Sequence, residues 1–268
     1  MTAQASQGRL GGNGMLTVRA RVIWALLMRE MQTRFGRNNV GFLWIVIEPL
    51  LLASAIAALH AGDTKHGNGD IRPVPFMIVG YTVFYLFRAI VNRAESAMHG
   101  NTPLLYHRQV MILDVLIARA IIEIAGVLGS ATLLMSIAVL LDAASPPARP
   151  LFLILAYFVM LAYVFTLSLL LMAACHFSTV FAKLIHPLTY LSLPITGGFF
   201  MMRWIPVKYR DILEWLPTTH IYELARYGQF QNANLDYVDP LFILVCCLVQ
   251  GVFGLIALDR VRQHLNLH

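Results

Sequence analysis

Side chains able to do chemistry are few in this chain, and they are scattered. Phosphate hydrolysis by the common route needs a glycine-rich loop ending in Gly-Lys-Ser/Thr, whose backbone amides cradle the phosphates. The three lysines, Lys65, Lys183 and Lys208, stand in no such context. His-Glu-x-x-His, Cys-x-x-Cys and Gly-x-Ser-x-Gly patterns are missing too. His176 and His186 are ten apart and Cys246 and Cys247 are adjacent, spacings that suggest no metal centre. The expected catalytic set and metal set are both empty. What remains are charges in apolar surroundings: Glu48 directly before Pro49, and Arg88 after Tyr81, Phe84, Tyr85 and Phe87. A charge at bilayer depth costs ~2.5–3.5 kcal/mol on insertion scales, so each should face protein or water. Ion pairing and snorkelling are the plain ways to do so; lining a polar path is the functional one.

The elements that hold these charges follow from composition. Of 268 residues, 58% are apolar or aromatic and 13% are charged, about half the charge of a soluble domain. Mean hydropathy is +0.67. A soluble fold of this size could not hide that much apolar surface, and a disordered chain would not carry it. The composition indicates an all-α integral membrane protein. All three cysteines, Cys175, Cys246 and Cys247, lie in apolar runs, which argues against a disulfide framework.

Six stretches suffice to cross ~30 Å of hydrocarbon, which takes roughly 17–25 helical residues. They cover about 39–60, 73–95, 116–141, 150–175, 183–202 and 240–259. The fourth and fifth form one run without Lys, Arg, Asp or Glu from Leu151 to Ala182, to be broken near His176–Ser178. Pro187, Pro194 and Gly197-Gly198 predict a kinked or interrupted fifth helix. With the N-terminus inside, twelve of the twenty Lys and Arg fall on the cytoplasmic side and seven outside, with Arg88 within a span. Both termini are therefore expected in the cytoplasm.

Residues 1–14 read as a disordered tail, and 15–268 as a single transmembrane domain. Within it, residues 16–35 predict an amphipathic helix with Leu16, Ala20, Ile23, Trp24, Leu27, Met28, Met31 and Phe35 on one stripe. That stripe suits either the cytoplasmic leaflet surface or the protein's own helices. Two connections are long: about 96–115 on the cytoplasmic side, and 203–239 outside. The second is rich in Trp and Tyr, which favour the membrane interface, and predicts short helices lying at or dipping into it.

Three motifs carry a resemblance. The first runs Arg34-Phe35-Gly36-Arg37, Gly41-Phe42-Leu43-Trp44, then Glu48-Pro49. Next come Arg108-Gln109-Val110, Asp114, Ile117-Ala118-Arg119-Ala120 and Glu123. The third is Ile205-Pro206, Tyr209, Leu213, Trp215, Pro217, His220, Glu223-Leu224 and Arg226. In this order they resemble the membrane (permease) subunit of capsular-polysaccharide ABC exporters. The family pattern often has prolines around Val110, where this chain has Gln109 and Ile112.

The resemblance implies a half-transporter in the bacterial inner membrane. Two copies would form the path, and a separate cytoplasmic ABC ATPase, which binds ATP and Mg, would drive each copy. Residues 98–112 would couple to that ATPase, with Asn101, Pro103, Leu105, Tyr106 and Arg108 among them. Segment 203–235, with Trp204, Tyr209, Trp215, His220, Glu223 and Arg226, would supply re-entrant helices on the outer side. Cargo would be an acidic polysaccharide on a lipid anchor, passed to periplasmic and outer-membrane export components. Arg34, Arg37 and Arg88 would then receive anionic groups while Trp44, Tyr81 and Tyr85 line the path alongside Glu48. Ordinary interfacial anchoring is the competing role for the same residues. Rival functions are the same machine for O-antigen, teichoic acid or another glycolipid, and two of other classes. These are a glycolipid transferase using His220, Glu223 and Asp211, and a secondary transporter with Glu48 as coupling carboxylate.

Overall fold

The computed structural model describes residues 12–35, 40–60, 71–99 and 111–265. Every regular element among them is helical. The helices are α1 (Gly12–Phe35), α2 (Val40–His60), α3 (Pro73–His99), α4 (Ile112–Leu140), α5 (Pro150–Phe177), α6 (Thr179–Ser192), α7 (Val207–Glu214), α8 (Pro217–Gln229) and α9 (Pro240–Leu265). A single 3-10 turn, Met202–Trp204, precedes α7. Prolines open α3, α5, α8 and α9, where the missing amide is one the helix leaves unbonded anyway. Among the described residues, three stretches are long and apolar enough to cross a membrane: Pro73–Ala94, Pro150–Phe177 and Pro240–Val261.

α3 is the central column. Nearly all of its side chains from Phe76 to Val91 are buried, because α2, α4, α5 and α6 all pack on it. Its polar interior is small: Thr82 bonds back to the Ile78 carbonyl at 2.7 Å and meets the Tyr157 hydroxyl of α5 at 2.6 Å. Gly80 lets the Gly198 carbonyl come so close that any Cβ there would overlap it.

Contacts between helix ends fix the directions. Arg72, just before α3, holds Asp142, just after α4, so these two run antiparallel. α5 and α9 run parallel, touching where Thr166 meets Gln250 and where Gly254 abuts Leu169. The starts of α3, α5 and α9 thus share one end of the molecule with α7 and α8. At the opposite end, α1 packs on the first turns of α4.

Three local outcomes bear on the sequence expectation, and the first falls where the break was expected. The apolar run after Leu151 breaks at Ser178, whose hydroxyl accepts from Phe181 N and caps α6. α6 then stops at Ser192, and the chain turns through Gly197 at φ +101° where a continuous, kinked span to 202 was one expectation. At ~1.5 Å per residue its fourteen residues reach only ~21 Å. In α1, the face turned to the body is Val22, Ile23, Leu26 and Leu27, while Trp24 and Met28 point outward. The expected single stripe is divided between protein and surroundings, so both of its anticipated contacts are available at once.

Candidate functional site

Two clusters of polar side chains stand out, one near each end. The first begins with Arg88 on α3, six residues or ~9 Å inside the end of the apolar stretch Pro73–Ala94. Its Nη2 lies 3.6 Å from Glu48 Oε1 on α2, and its Nη1 donates to the Tyr190 hydroxyl of α6 at 2.6 Å. The guanidinium also sits over the Tyr85 and Tyr190 rings, 5.3 and 5.0 Å from their centroids. Tyr81 stacks obliquely on Tyr85 at 6.5 Å, continuing the aromatic surface along α3. A turn further on, Thr189 Oγ1 donates to Asn92 Oδ1 at 2.9 Å. Arg88 is therefore paired, and snorkelling is not how it is satisfied.

Exposure distinguishes this cluster. The Glu48 side chain is 41% accessible and that of Arg88 12%; Tyr190 is among the exposed residues. An ion pair at this depth opens onto the outside of the single chain.

The second cluster is closed. Arg226 of α8 is 1% exposed. Its Nη1 donates to Glu223 Oε1 at 3.1 Å, and its Nη2 donates to the carbonyls of Gly197 and, at 3.2 Å, Gly198. Glu223 Oε1 also accepts from Met202 N at 2.9 Å. Phe76 of α3 lies beneath the guanidinium at 4.5 Å. α8 is thus a polar helix buried along nearly its whole length, pinned to the 197–202 backbone. Its C-terminal carbonyls are capped by Arg149, which donates to Tyr227 O and Phe230 O and lies 4.1 Å over the Tyr227 ring.

The other expected residues of this segment divide by role. His220 points both ring nitrogens at carbonyl oxygens, Nδ1 to Tyr237 at 2.8 Å and Nε2 to Glu214 at 2.7 Å. Trp204 packs on Phe76 at 5.0 Å. Tyr209 and Trp215 are exposed, Trp215 edge-on to Phe242. Asp211 and His220 line one pocket, with both His220 ring nitrogens on backbone carbonyls, whereas Glu223 is buried elsewhere on Arg226 and Met202 N; the three residues named for a transferase are not brought together. Among the described residues no group of three His, Cys, Asp or Glu could hold a metal. The side chains of Arg34, Arg37 and Trp44, and all of Asn101, Pro103, Leu105, Tyr106 and Arg108, lie outside the described residues.

Sequence reasoning missed Tyr190 and the helix-end relay beside α1. In that relay Arg119 of α4 pairs with Glu30 of α1 at 3.0 Å and donates to the Arg93 carbonyl of α3 at 3.1 Å. Arg93 in turn pairs with buried Glu123 at 2.8 Å. The signal was present as Arg119 and Glu123 one turn apart in an apolar helix, where unpaired charges would be costly.

A sequence profile of the ABC-2 type transporter membrane family matches residues 21–230. The chain belongs to that family. Relatives of this ABC-2 protein extend over nearly its whole length. The capsule polysaccharide export inner-membrane protein BexB of Haemophilus influenzae is 34% identical over 241 residues, 90% of this chain and 91% of BexB. Its counterpart CtrC of Neisseria meningitidis serogroup B is 33% identical over 245 residues, covering 91% and 92% of the two chains. The polysialic acid transport protein KpsM of Escherichia coli is 28% identical over 257 residues, 91% of this chain and 94% of KpsM.

Proposed function

We propose that this chain is the permease subunit of an ATP-driven exporter moving lipid-linked acidic capsular polysaccharide across the bacterial inner membrane. Two copies form the path, each served by a cytoplasmic ABC ATPase that binds ATP and Mg. The single observation that carries the substrate assignment is the Glu48–Arg88–Tyr190 cluster, an ion pair at bilayer depth accessible from outside the chain. In lipid that exposure is unfavourable; facing a water-filled path or a second copy removes the penalty. The export relatives named above support the cargo, and the lack of a phosphate loop supports a separate motor.

Six spans accommodate this reading. α2, α3, α4, α5 and α9 cross, and α6 completes its crossing through the turns at 193–199, with both termini cytoplasmic. α7 and α8 form the re-entrant segment on the outer side, from which polymer passes to periplasmic and outer-membrane components. The coupling segment at 98–112 joins α3 to α4, so a motor acting there pulls on two helices already tied together by Arg93 and Glu123. During transit a carboxylate or phosphate on the cargo exchanges with Glu48 for the Arg88 guanidinium, while Tyr81 and Tyr85 offer rings to sugar C–H faces. Each contact is weak and replaceable, as sliding requires.

The test is surface capsule in cells whose permease carries Arg88→Ala, with complex assembly checked by co-purification of the ATPase. A drop of at least tenfold with an intact four-subunit complex is the expected result. Wild-type capsule from that variant would remove the anionic-handle reading, and failure of any ATPase to co-purify with the wild-type chain would remove the exporter itself.

A further inference from the structure

α5 and α9 are in contact where Gly254 admits Leu169, with Leu169 Cβ 2.6 Å from the site of an added Cβ. Toward their starts, Leu224 of α8 and residues of 235–238 join both helices in lining a slot of about 360 Å³. It runs along α5 from Phe152 to Ala162, ten residues or ~15 Å, with Leu224 of α8, Val238, Leu244 and Cys247 on its other walls. Its lining is almost wholly apolar, so water, which needs two to four polar partners, has no purchase there. Phe152 and Leu244 are both exposed, so the slot is reachable from the lipid side. Its length and apolar lining match a single extended acyl chain lying parallel to the helices.

The mouth carries a second feature. On the far side of Val238, which both cavities share, lies a pocket of about 460 Å³ that opens outward. It is rimmed by Trp215 and Phe242 and contains Asp211, Glu214, Asp236 and Asp239. Asp239 caps the start of α9 through Leu241 N and Phe242 N, and Asp236 accepts from Asn234. The carboxylates of Asp211 and Glu214 have no ion-pair partner among the described residues. Arg210, the nearest cation in sequence, donates to Ile205 O, Arg203 O and the hydroxyl of Tyr237, itself a lining residue of this pocket, and to no carboxylate among the described residues. An amphiphile lying in the slot would therefore present its head group to four carboxylates faced by the one guanidinium that reaches Tyr237, an excess of negative charge.

We propose that these two cavities together hold one amine-bearing phospholipid, with an acyl chain in the slot and its ammonium among the carboxylates. Anionic lipids meet the same slot but are repelled at its mouth. The inference is independent of the cargo, since it concerns the lipid side of α5 and α9 and its readout involves no export.

The experiment reconstitutes the full chain in vesicles of phosphatidylethanolamine and phosphatidylglycerol. A trace of either lipid carries a photoactivatable acyl chain, and labelled peptides are identified by mass. Expected is label concentrated at 152–162 and 243–247, at least threefold higher from phosphatidylethanolamine than from phosphatidylglycerol. Leu244→Trp, which fills the slot, lowers that label at least fivefold without changing label at 252–256. Asp211→Asn with Glu214→Gln, both exposed and tolerant, brings the two lipids to parity. Label spread evenly along α9, equal label from both lipids on the wild-type chain, or no response to Leu244→Trp would each overturn the proposal.

Discussion

Arg88 and Arg226 invite comparison. Each is a guanidinium beside a carboxylate and over aromatic rings. The difference lies in what accepts their protons. Arg226 donates to two backbone carbonyls and to a carboxylate that is itself held by a backbone amide. Among the described residues the acceptors of Arg88 are side chains, Glu48 and Tyr190, both open to the outside. Backbone partners cannot leave without unfolding a segment, whereas side-chain partners can rotate away. The outer cluster is therefore built to hold, and the Arg88 cluster to exchange.

The largest expected effect tests the holding cluster. Arg226→Ala leaves Glu223 buried without its partner, a loss that ordinarily costs about 3–5 kcal/mol. Thermal unfolding of the detergent-purified protein should fall sharply, or folded protein should not be recovered. Arg226→Lys should rescue little, because an ammonium cannot reproduce the fork that spans two adjacent carbonyls and a carboxylate. A stable Arg226→Ala protein that assembles but does not export would place Arg226 with Arg88 and erase the distinction.

Next in size is the relay at the opposite end. Arg119→Gln removes the counter-charge of Glu30, which is itself buried, and one donor to the Arg93 carbonyl. Weakening the pairing of a buried charge in this way costs about 1–3 kcal/mol, borne locally where α1 joins α4. Hydrogen exchange should rise in α1 and the first turns of α4 while α5 and α9 keep their protection. Uniform protection across the chain would mean that α1 is held by its apolar face alone.

How much of this was legible beforehand depends on whether a feature is local. Helical class and membrane character follow from composition, since no other arrangement hides that apolar surface. The break at Ser178 was visible because one apolar run was too long for the bilayer, and Ser178, a residue type that caps helices, stood within the expected break. The ending of α6 at Ser192 was only half visible: Pro194 and the glycines announced an irregularity but not its geometry. The division of α1 into two apolar faces was hidden, because one stripe of residues does not say which neighbour it meets. Glu48 and Arg88 were conspicuous as charges in apolar spans, but their pairing rests on how α2 crosses α3. Tyr190 carried no signal at all in an aromatic-rich membrane sequence. Glu223 and Arg226 carried a misleading one, since a charged pair in a loop-rich segment suggests exposed chemistry and proves to be a buried fastening.

The smallest effect sharpens the comparison most. Tyr190→Phe keeps the ring over Arg88 and removes only the hydroxyl that accepts its Nη1 proton. One hydrogen bond contributes a net ~0.5–1.5 kcal/mol, and less where solvent can replace the lost acceptor, as it can at this exposed position. Thermal stability should therefore stay near wild type. Export should respond in a direction that depends on which state the bond favours. If Tyr190 holds Arg88 against Glu48 in the resting chain, losing the hydroxyl frees the guanidinium for cargo, and capsule appears at wild-type rate or a little faster. If the hydroxyl aligns Arg88 toward the path, capsule falls a few-fold. The geometry favours the first outcome, because the same guanidinium reaches Glu48 through its other terminal nitrogen and the two acceptors oppose each other across it. A marked fall in thermal stability instead would show that this cluster also holds, and that the contrast with Arg226 is one of degree.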